Sequence, residues 1–176
     1  MNYATVKFND IANGLGIRTS LFVSGCTHYC KGCFNAEAWD FAYGLPFDEE
    51  IQLKIINSLK SPFCDGLSLL GGEPFEPCNQ KALLPFLQRV KKEVPNANIW
   101  CYTGYLFDEE LLKESRAKTE DTYKMLSLID VLVDGEFIEE QKNISLRFKG
   151  SENQRIIDVQ KSLKENKIIL FDVEEY

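Results

Sequence analysis

The chain has 176 residues, of which 44% are hydrophobic, and its aromatic residues include 12 Phe, 7 Tyr and 2 Trp. This length and composition indicate a single domain, residues 1–176, whose core needs no disulfide bonds. The net charge of −7, from 27 acidic and 20 basic residues, argues against a nucleic-acid partner, because affinity for a phosphate backbone rests largely on Lys and Arg.

The N-terminal segment does not resemble a targeting signal. MNYATVKFND lacks the basic and apolar regions of a signal peptide, and no apolar run approaches the roughly 18 residues of a membrane span. We therefore expect a cytoplasmic protein with no membrane association, in which the six cysteines stay reduced. Their thiols are then available for metal chemistry.

Short apolar runs alternate with helical patterns along the chain. The first predicted strand is TSLFVS, residues 19–24, which is apolar and β-branched and is followed by a glycine. A helix is predicted at residues 47–60, where isoleucines recur at helical spacing after three acidic residues. The remaining elements are strands at 66–72, 98–105, 129–135, 155–159 and 168–173, and helices at 79–94, 108–115, 120–128 and 159–166.

This alternation predicts an α/β fold with about six mostly parallel strands. A closed eight-unit barrel needs about 250 residues, so a partial, open βα barrel is expected. Its ligand site should lie at the carboxyl ends of the strands. Four motifs lie at the ends of predicted strands there: the cysteine-rich loop after residue 24, GGEP at 71–74, YTGY at 102–105, and DG at 134–135.

The cysteine loop, SGCTHYCKGCFN at residues 24–35, brings together Cys26, Cys30 and Cys33. Three thiolates in one loop suit an iron-sulfur cluster or zinc. Structural zinc takes four ligands. His28 lies between Cys26 and Cys30, where a tight loop would have difficulty directing its side chain to the same ion, so His28 is expected to orient the loop instead. The other cysteines are isolated in the sequence. Three cysteines of a [4Fe-4S] cluster leave one iron open, and this interpretation is favoured over zinc and over buried, inert thiols.

The cysteine spacing and the GGEP sequence together resemble motifs of the radical S-adenosylmethionine (SAM) enzymes. The resemblance implies that Cys26, Cys30 and Cys33 are the metal ligands and catalytic residues, and that the open iron binds SAM. The two glycines would let the backbone approach the ligand, and Glu73 or nearby carbonyls would accept hydrogen bonds from the methionine ammonium. The predicted cofactor-binding residues are Gly32, Cys33, Phe34, Gly72 and Glu73.

Longer blocks narrow the resemblance to the activating proteins of anaerobic (class III) ribonucleoside-triphosphate reductases. The blocks are GLGIRTSLFVSGCTHYCKGCFN, SLLGGEP, IWCYTGY, DVLVDGEF and KGSENQR, between residues 14 and 155. The family implies a 5'-deoxyadenosyl radical that removes hydrogen from a glycine of the large reductase subunit, with reduced flavodoxin or a similar electron donor. Gly32, where many radical SAM enzymes carry an aromatic residue, is the pattern expected of these activases.

Two other functions stay open from the sequence. The chain could activate a different glycyl-radical enzyme, such as pyruvate formate-lyase, or it could be a non-enzymatic zinc-binding interaction module. Several single residues also have two interpretations each. His28 either orients the loop or is an exposed bystander, and the YTGY residues either contact SAM or only pack at the end of their strand. Arg18 is either near the site or a solvated or ion-paired residue, and Asp134 either receives a ribose hydroxyl or ends a strand in a turn.

Overall fold

Seven strands and four α-helices make up the regular structure of residues 1–173, which the computed structural model of the chain describes. The strands are β1 (Asn2–Asp10), β2 (Arg18–Val23), β3 (Leu45–Pro46), β4 (Gly66–Gly71), β5 (Asn98–Tyr102), β6 (Val131–Asp134) and β7 (Arg155–Asp158). The helices are α1 (Glu49–Leu59), α2 (Pro77–Glu93), α3 (Thr122–Leu126) and α4 (Val159–Glu165). Within these residues no helix is both long and apolar enough to cross a membrane.

The strands form one open sheet in the order β3-β1-β2-β4-β5-β6-β7. The four central strands β2, β4, β5 and β6 run parallel, whereas β1, β3 and β7 are joined antiparallel at the two sides. The predicted α/β class and the open sheet are confirmed, and the predicted parallel arrangement holds for the central strands, whereas the partial βα barrel stays a prediction. The predicted number of about six strands is too low by one, because β1 and β3 were not predicted, whereas the predicted strand at 168–173 does not form.

The differences from prediction lie at the edges of the sheet. Most residues of β1 are exposed or half-buried, so β1 lacks the apolar run by which a buried strand is recognised. The predicted strand at 168–173 forms only an isolated bridge between Leu170 and Ile157. The predicted helix at 108–115 is reduced to a short π-helical turn, Phe107–Leu111, in which Leu111 N and Leu112 N donate to Leu106 O and Phe107 O, both at 3.0 Å.

The two faces of the sheet are covered differently. Helix α1 packs against β2 and α2, and α4 packs against β6 and β7. Successive residues of a strand face opposite sides, so Ile99 and Leu132 join the main core while Trp100 and Val133 form a second cluster with Phe148 packed against it. The second face is therefore covered by an irregular segment of chain rather than by a helix.

Arg18 has a structural role at the amino end of the parallel strands, where it pairs in register with Gly66. Its guanidinium is buried and donates hydrogen bonds to Ser68 Oγ at 2.7 Å, Leu67 O at 2.8 Å and Asn98 O at 2.9 Å. Burial lowers the pKa of Arg18 to about 10. Both predictions for Arg18 are wrong, because it is buried, forms no ion pair within residues 1–173, and lies away from the carboxyl ends of the strands.

Candidate metal and cofactor site

A cleft of about 440 Å³ lies where the carboxyl ends of the parallel strands meet the segment 142–150. Residues after three strands line it: Gly72 and Glu73 after β4, Thr103 and Gly104 after β5, and Gly135 after β6. All of the predicted site residues lie in its wall, namely Cys26, Cys30, Gly32, Cys33, Phe34, Gly72 and Glu73. The structure therefore brings together groups that are up to 47 residues apart in the sequence, from Cys26 to Glu73.

The cysteine loop begins directly after β2 and carries three free thiols. Cys26 is buried, whereas Cys30 and Cys33 are half-buried, and the Cys33 N–H donates to Cys30 O at 3.1 Å. Gly32 has a φ of +72°, in the left-handed region that glycine adopts without strain. The backbone conformation of this turn therefore explains why a glycine, and not an aromatic residue, directly precedes Cys33.

Two of the three thiols, those of Cys26 and Cys30, have a raised pKa. Burial raises the pKa of Cys26 to about 12, and the negative charge of Glu73 adds to the effect. Burial also raises the pKa of Cys30. Metal binding would have to displace these protons, because the thiolate is the ligand.

The carboxylate of Glu73 accepts three hydrogen bonds from the protein itself. Its Oε1 accepts hydrogen bonds from Phe75 N and Thr103 Oγ1, both at 2.8 Å, and its Oε2 accepts one from Gly104 N at 2.7 Å. His28 Nε2 lies 3.2 Å from the same Oε2, and the glutamate is only 1% exposed. Glu73 thus joins the end of β4 to the end of β5, which the prediction of a ligand-binding carboxylate did not anticipate.

His28 connects the cysteine loop to two other loops of the cleft. Its side chain is 3% exposed, and its Nδ1 lies 2.6 Å from Glu136 Oε1. Its ring packs against Tyr105 with the centroids 4.3 Å apart. Burial alone would lower the pKa of His28, but the contacts with Glu73 and Glu136 outweigh it and raise the pKa above its ordinary value. This geometry agrees with the predicted role of His28 in orienting the loop.

The glycines of the GGEP turn allow two segments of the chain to approach each other. A Cβ on Gly72 would lie 2.5 Å from Gly25 O and 2.9 Å from Ala38 O. In addition, Gly72 N donates to Val23 O at 2.7 Å, and Glu73 N donates to Gly25 O at 2.8 Å. Glycine is therefore required at position 72 by close backbone contact with the cysteine loop. The sequence had instead suggested that this glycine allows the approach of a ligand.

A Gly104→Ala substitution is expected to displace His28 and to lower the free energy of unfolding. The new Cβ would lie 2.7–2.9 Å from three atoms of the His28 ring, which the contacts with Tyr105, Glu73 and Glu136 hold in place. Overpacking of this kind costs about 1–3 kcal/mol, measurable by urea denaturation. In a His28→Ala background the same substitution should cost much less, and equal costs in both backgrounds would contradict this account.

The structure also places Asp134 and the two tyrosines of the YTGY motif. Asp134 is fully buried, and both of its carboxylate oxygens bind Arg155, while Oδ2 also accepts from Phe107 N at 2.8 Å. Asp134 does not line the cleft, so the geometry favours the turn interpretation over a ribose contact. Tyr102 lines the cleft as the sequence suggested, whereas Tyr105 is buried behind it.

Sequence reasoning missed the segment 142–150 as part of the site. Ile144, Leu146 and Phe148 from this segment line the cleft, together with Lys142 and Lys149. The segment is held by a bridge between Lys142 and Ser151. Its polar composition is typical of a surface loop, and the one signal in the sequence was the apolar residues at alternate positions 144, 146 and 148, of which Ile144 is itself 92% exposed.

Comparison with known proteins identifies the family. A family model described as a 4Fe-4S single cluster domain matches residues 12–157. The anaerobic ribonucleoside-triphosphate reductase-activating protein of Haemophilus influenzae is 50% identical over 158 residues, which cover 89% of this chain and 97% of that protein. The proteins of the same name from Escherichia coli K12 and Enterobacteria phage T4 are 42% and 34% identical, over 88% and 89% of this chain and 96% and 93% of their own lengths. The chain belongs to this family of activating proteins.

The donor set of the cleft fits the iron-sulfur cluster that the family model describes. Cys26, Cys30 and Cys33 are unpaired soft donors in the wall of one cleft. Among residues 1–173, no group of three or more His, Cys, Asp or Glu side chains is arranged to hold a metal ion. A cluster does not require three side chains to meet at one ion, because each cysteine of a [4Fe-4S] cluster binds a different iron.

Proposed function

We propose that the chain is a radical SAM activase, which uses a [4Fe-4S] cluster and SAM to generate a glycyl radical in an anaerobic ribonucleoside-triphosphate reductase. The observation that carries this proposal is the 42–50% identity, over nearly the whole chain, to bacterial proteins named as activators of that reductase. The open sheet with a cleft at its carboxyl edge supports a partial barrel of the radical SAM type.

In this proposal Cys26, Cys30 and Cys33 hold the cluster, and its fourth iron stays open for SAM. When bound, cluster and SAM together supply a 5'-deoxyadenosyl radical, which takes a hydrogen atom from a glycine of the large reductase subunit. The chain positions these groups and excludes water from them. Two observations support the exclusion of water: Cys26 is buried, and Phe148 covers part of the second face of the sheet.

We propose that backbone carbonyls, and not the Glu73 carboxylate, bind the methionine ammonium of SAM. Because the Glu73 carboxylate is occupied by Phe75, Thr103 and Gly104, its contribution to SAM is to fix the turn. Backbone carbonyls around Gly72 are the acceptors left for the methionine ammonium.

The adenine is assigned to the stretch Gly32, Cys33 and Phe34. All three residues line the cleft. The Phe34 side chain is 89% exposed, which leaves it accessible to a bound adenine.

The proposed partners are the reductase as protein substrate and reduced flavodoxin, or a similar protein, as electron donor. The net charge of −7 gives no support to a nucleic-acid partner. No contact in the described residues favours the zinc-binding module over the activase.

The proposal is tested by mixing the purified chain anaerobically with the reductase, SAM and a reductant, and by recording the electron paramagnetic resonance (EPR) spectrum. A glycyl radical is expected, and it should be absent when the radical-bearing glycine of the reductase is replaced by alanine. An intact, reducible cluster without a glycyl signal would contradict the choice of reductase and favour another glycyl-radical enzyme, such as pyruvate formate-lyase. A colourless protein with stoichiometric zinc and no iron would overturn both activase functions.

A further inference from the structure

Glu76, three residues beyond Glu73, makes two hydrogen bonds to the cysteine loop. The Thr27 N–H donates to Glu76 Oε1 at 2.8 Å, and Thr27 Oγ1 donates to the same oxygen at 2.6 Å. Thr27 directly follows Cys26 and lies three residues before Cys30. A single carboxylate oxygen therefore fixes both the backbone and the side chain of the turn that joins these two cysteines.

Glu76 is itself anchored at the start of helix α2. Its backbone carbonyl accepts hydrogen bonds from Asn79 N and Gln80 N, both at 2.9 Å. As the N-cap residue of α2 it makes no side-chain capping bond, so its carboxylate is directed to Thr27 instead. The positive end of the dipole of a 17-residue helix favours a negative charge at this position.

Glu76 places a buried charge beside the loop without entering the cleft. Its side chain is 5% exposed, and it is absent from the cleft wall to which Cys26 and Cys30 contribute. Arg116 lies nearby and donates to Thr27 O at 3.3 Å, so the charge is partly balanced on one side of the turn.

We propose that Glu76 is a positioning residue for the iron-sulfur cluster, which acts through Thr27 to fix the Cys26–Cys30 turn and whose buried negative charge lowers the reduction potential of the cluster. The hydrogen bonds limit the movement of the loop, and partners of this kind around metal ligands affect retention of the metal. A nearby negative charge favours the more oxidised cluster, because net charge around an iron-sulfur centre sets its potential. This inference rests on the proposed function, since it assumes that the loop holds a cluster.

Two variants separate the charge from the hydrogen bonds. Glu76→Gln keeps an oxygen that can accept both bonds from Thr27 but removes the charge. Its cluster should be retained at close to the wild-type level, with a higher midpoint potential. Glu76→Ala removes charge and hydrogen bonds together, and it should also lose iron to a chelator about 10-fold to 100-fold faster than the wild type.

Two further variants serve as controls for position and for hydrogen bonding. Glu93→Gln removes the same charge at the far end of α2, where Glu93 pairs with Lys60 and Arg89, and it should leave the potential unchanged. Thr27→Val should speed the loss of iron, and Thr27→Ser, which keeps both bonds, should restore wild-type retention.

The measurements are made on the reconstituted full-length chain: iron loss to a chelator, midpoint potential, and the EPR spectrum of the reduced cluster. If the Glu76 variants only lower the unfolding temperature while these three properties stay at wild-type values, Glu76 is merely structural and the inference is overturned. If the wild-type chain holds a cluster but does not activate the reductase, the proposed function fails while this inference is still decided by the same readings. A wild-type chain that assembles no cluster overturns both.

Discussion

A Cys30→Ala variant is expected to fold but to lose its iron-sulfur cluster and its ability to activate the reductase. Cys30 is half-buried in the cysteine loop, so removal of its sulfur leaves no deep cavity in the core. Each cysteine of the proposed cluster holds one iron, and the loss of one thiolate ligand exposes the cluster to solvent and dissociation. Iron should fall from about four atoms per chain to below one, and activation should fall by more than about 100-fold.

The matched control for this experiment is Cys78→Ala. Cys78 is an exposed free thiol on α2 that does not line the cleft, so its variant should keep the cluster and the activity. Iron is determined chemically after anaerobic reconstitution, and activation is followed by the glycyl EPR signal. A Cys30→Ala variant that still binds iron and cleaves SAM would refute the ligand assignment, as would an equal loss of iron from Cys78→Ala.

The location of the site could be predicted from the sequence because parallel strands end at one edge of a sheet. The apolar runs before Gly25, Gly71 and Gly104 are short and buried on both sides, which makes them visible as strands. Once these strands are recognised as parallel, the motifs that follow them must be neighbours. This reasoning placed Cys26 and Glu73 in one cleft without knowledge of their contacts.

The role of individual polar groups could not be predicted in the same way. The Glu73 carboxylate is saturated by Thr103 and Gly104, which lie some 30 residues further along the chain, and Glu76 binds Thr27 across 49 residues. Such contacts depend on how the loops lie relative to one another. The pattern of apolar residues predicts strands and helices but carries no information about the positions of loops. Strand β1 was missed for a related physical reason, because most of its side chains remain partly or fully exposed.

The second large effect is expected from Arg155→Met, which should reduce the free energy of unfolding by about 3–5 kcal/mol. Arg155 donates from Nε to Asp134 Oδ1 at 2.9 Å and from Nη2 to Asp134 Oδ2 at 2.5 Å, and Nη2 also reaches Asp108 Oδ1 at 2.8 Å. The hydrogen bonds to Asp134 raise the pKa of the guanidinium above its ordinary value. Methionine keeps much of the side-chain volume but leaves the fully buried Asp134 carboxylate with Phe107 N as its one hydrogen-bond donor among residues 1–173.

Arg89→Met provides a matched comparison, because the two arginine side chains are exposed to nearly the same degree, 29% for Arg155 and 30% for Arg89. Arg89 pairs with Glu49 and Glu93, whose side chains are 65% and 31% exposed. Solvent-exposed pairs contribute about 0–1 kcal/mol, so this variant should be nearly as stable as the wild type in urea denaturation. A loss of similar size in both variants would show that burial of the carboxylate does not decide the effect.

The loss in Arg155→Met should also be partly reversible by a second substitution. Asp134→Asn removes the uncompensated charge, so the double variant should be more stable than Arg155→Met alone.

The Arg155–Asp134 ion pair also affects the cleft, because of the residues that follow Asp134 in the sequence. Gly135 lines the cleft, and Glu136 contacts His28 of the cysteine loop. Because this ion pair fixes the end of β6, cluster retention in Arg155→Met should fall together with stability and recover with it in the double variant. Recovery of stability without recovery of the cluster would instead assign Arg155 a separate role at the site.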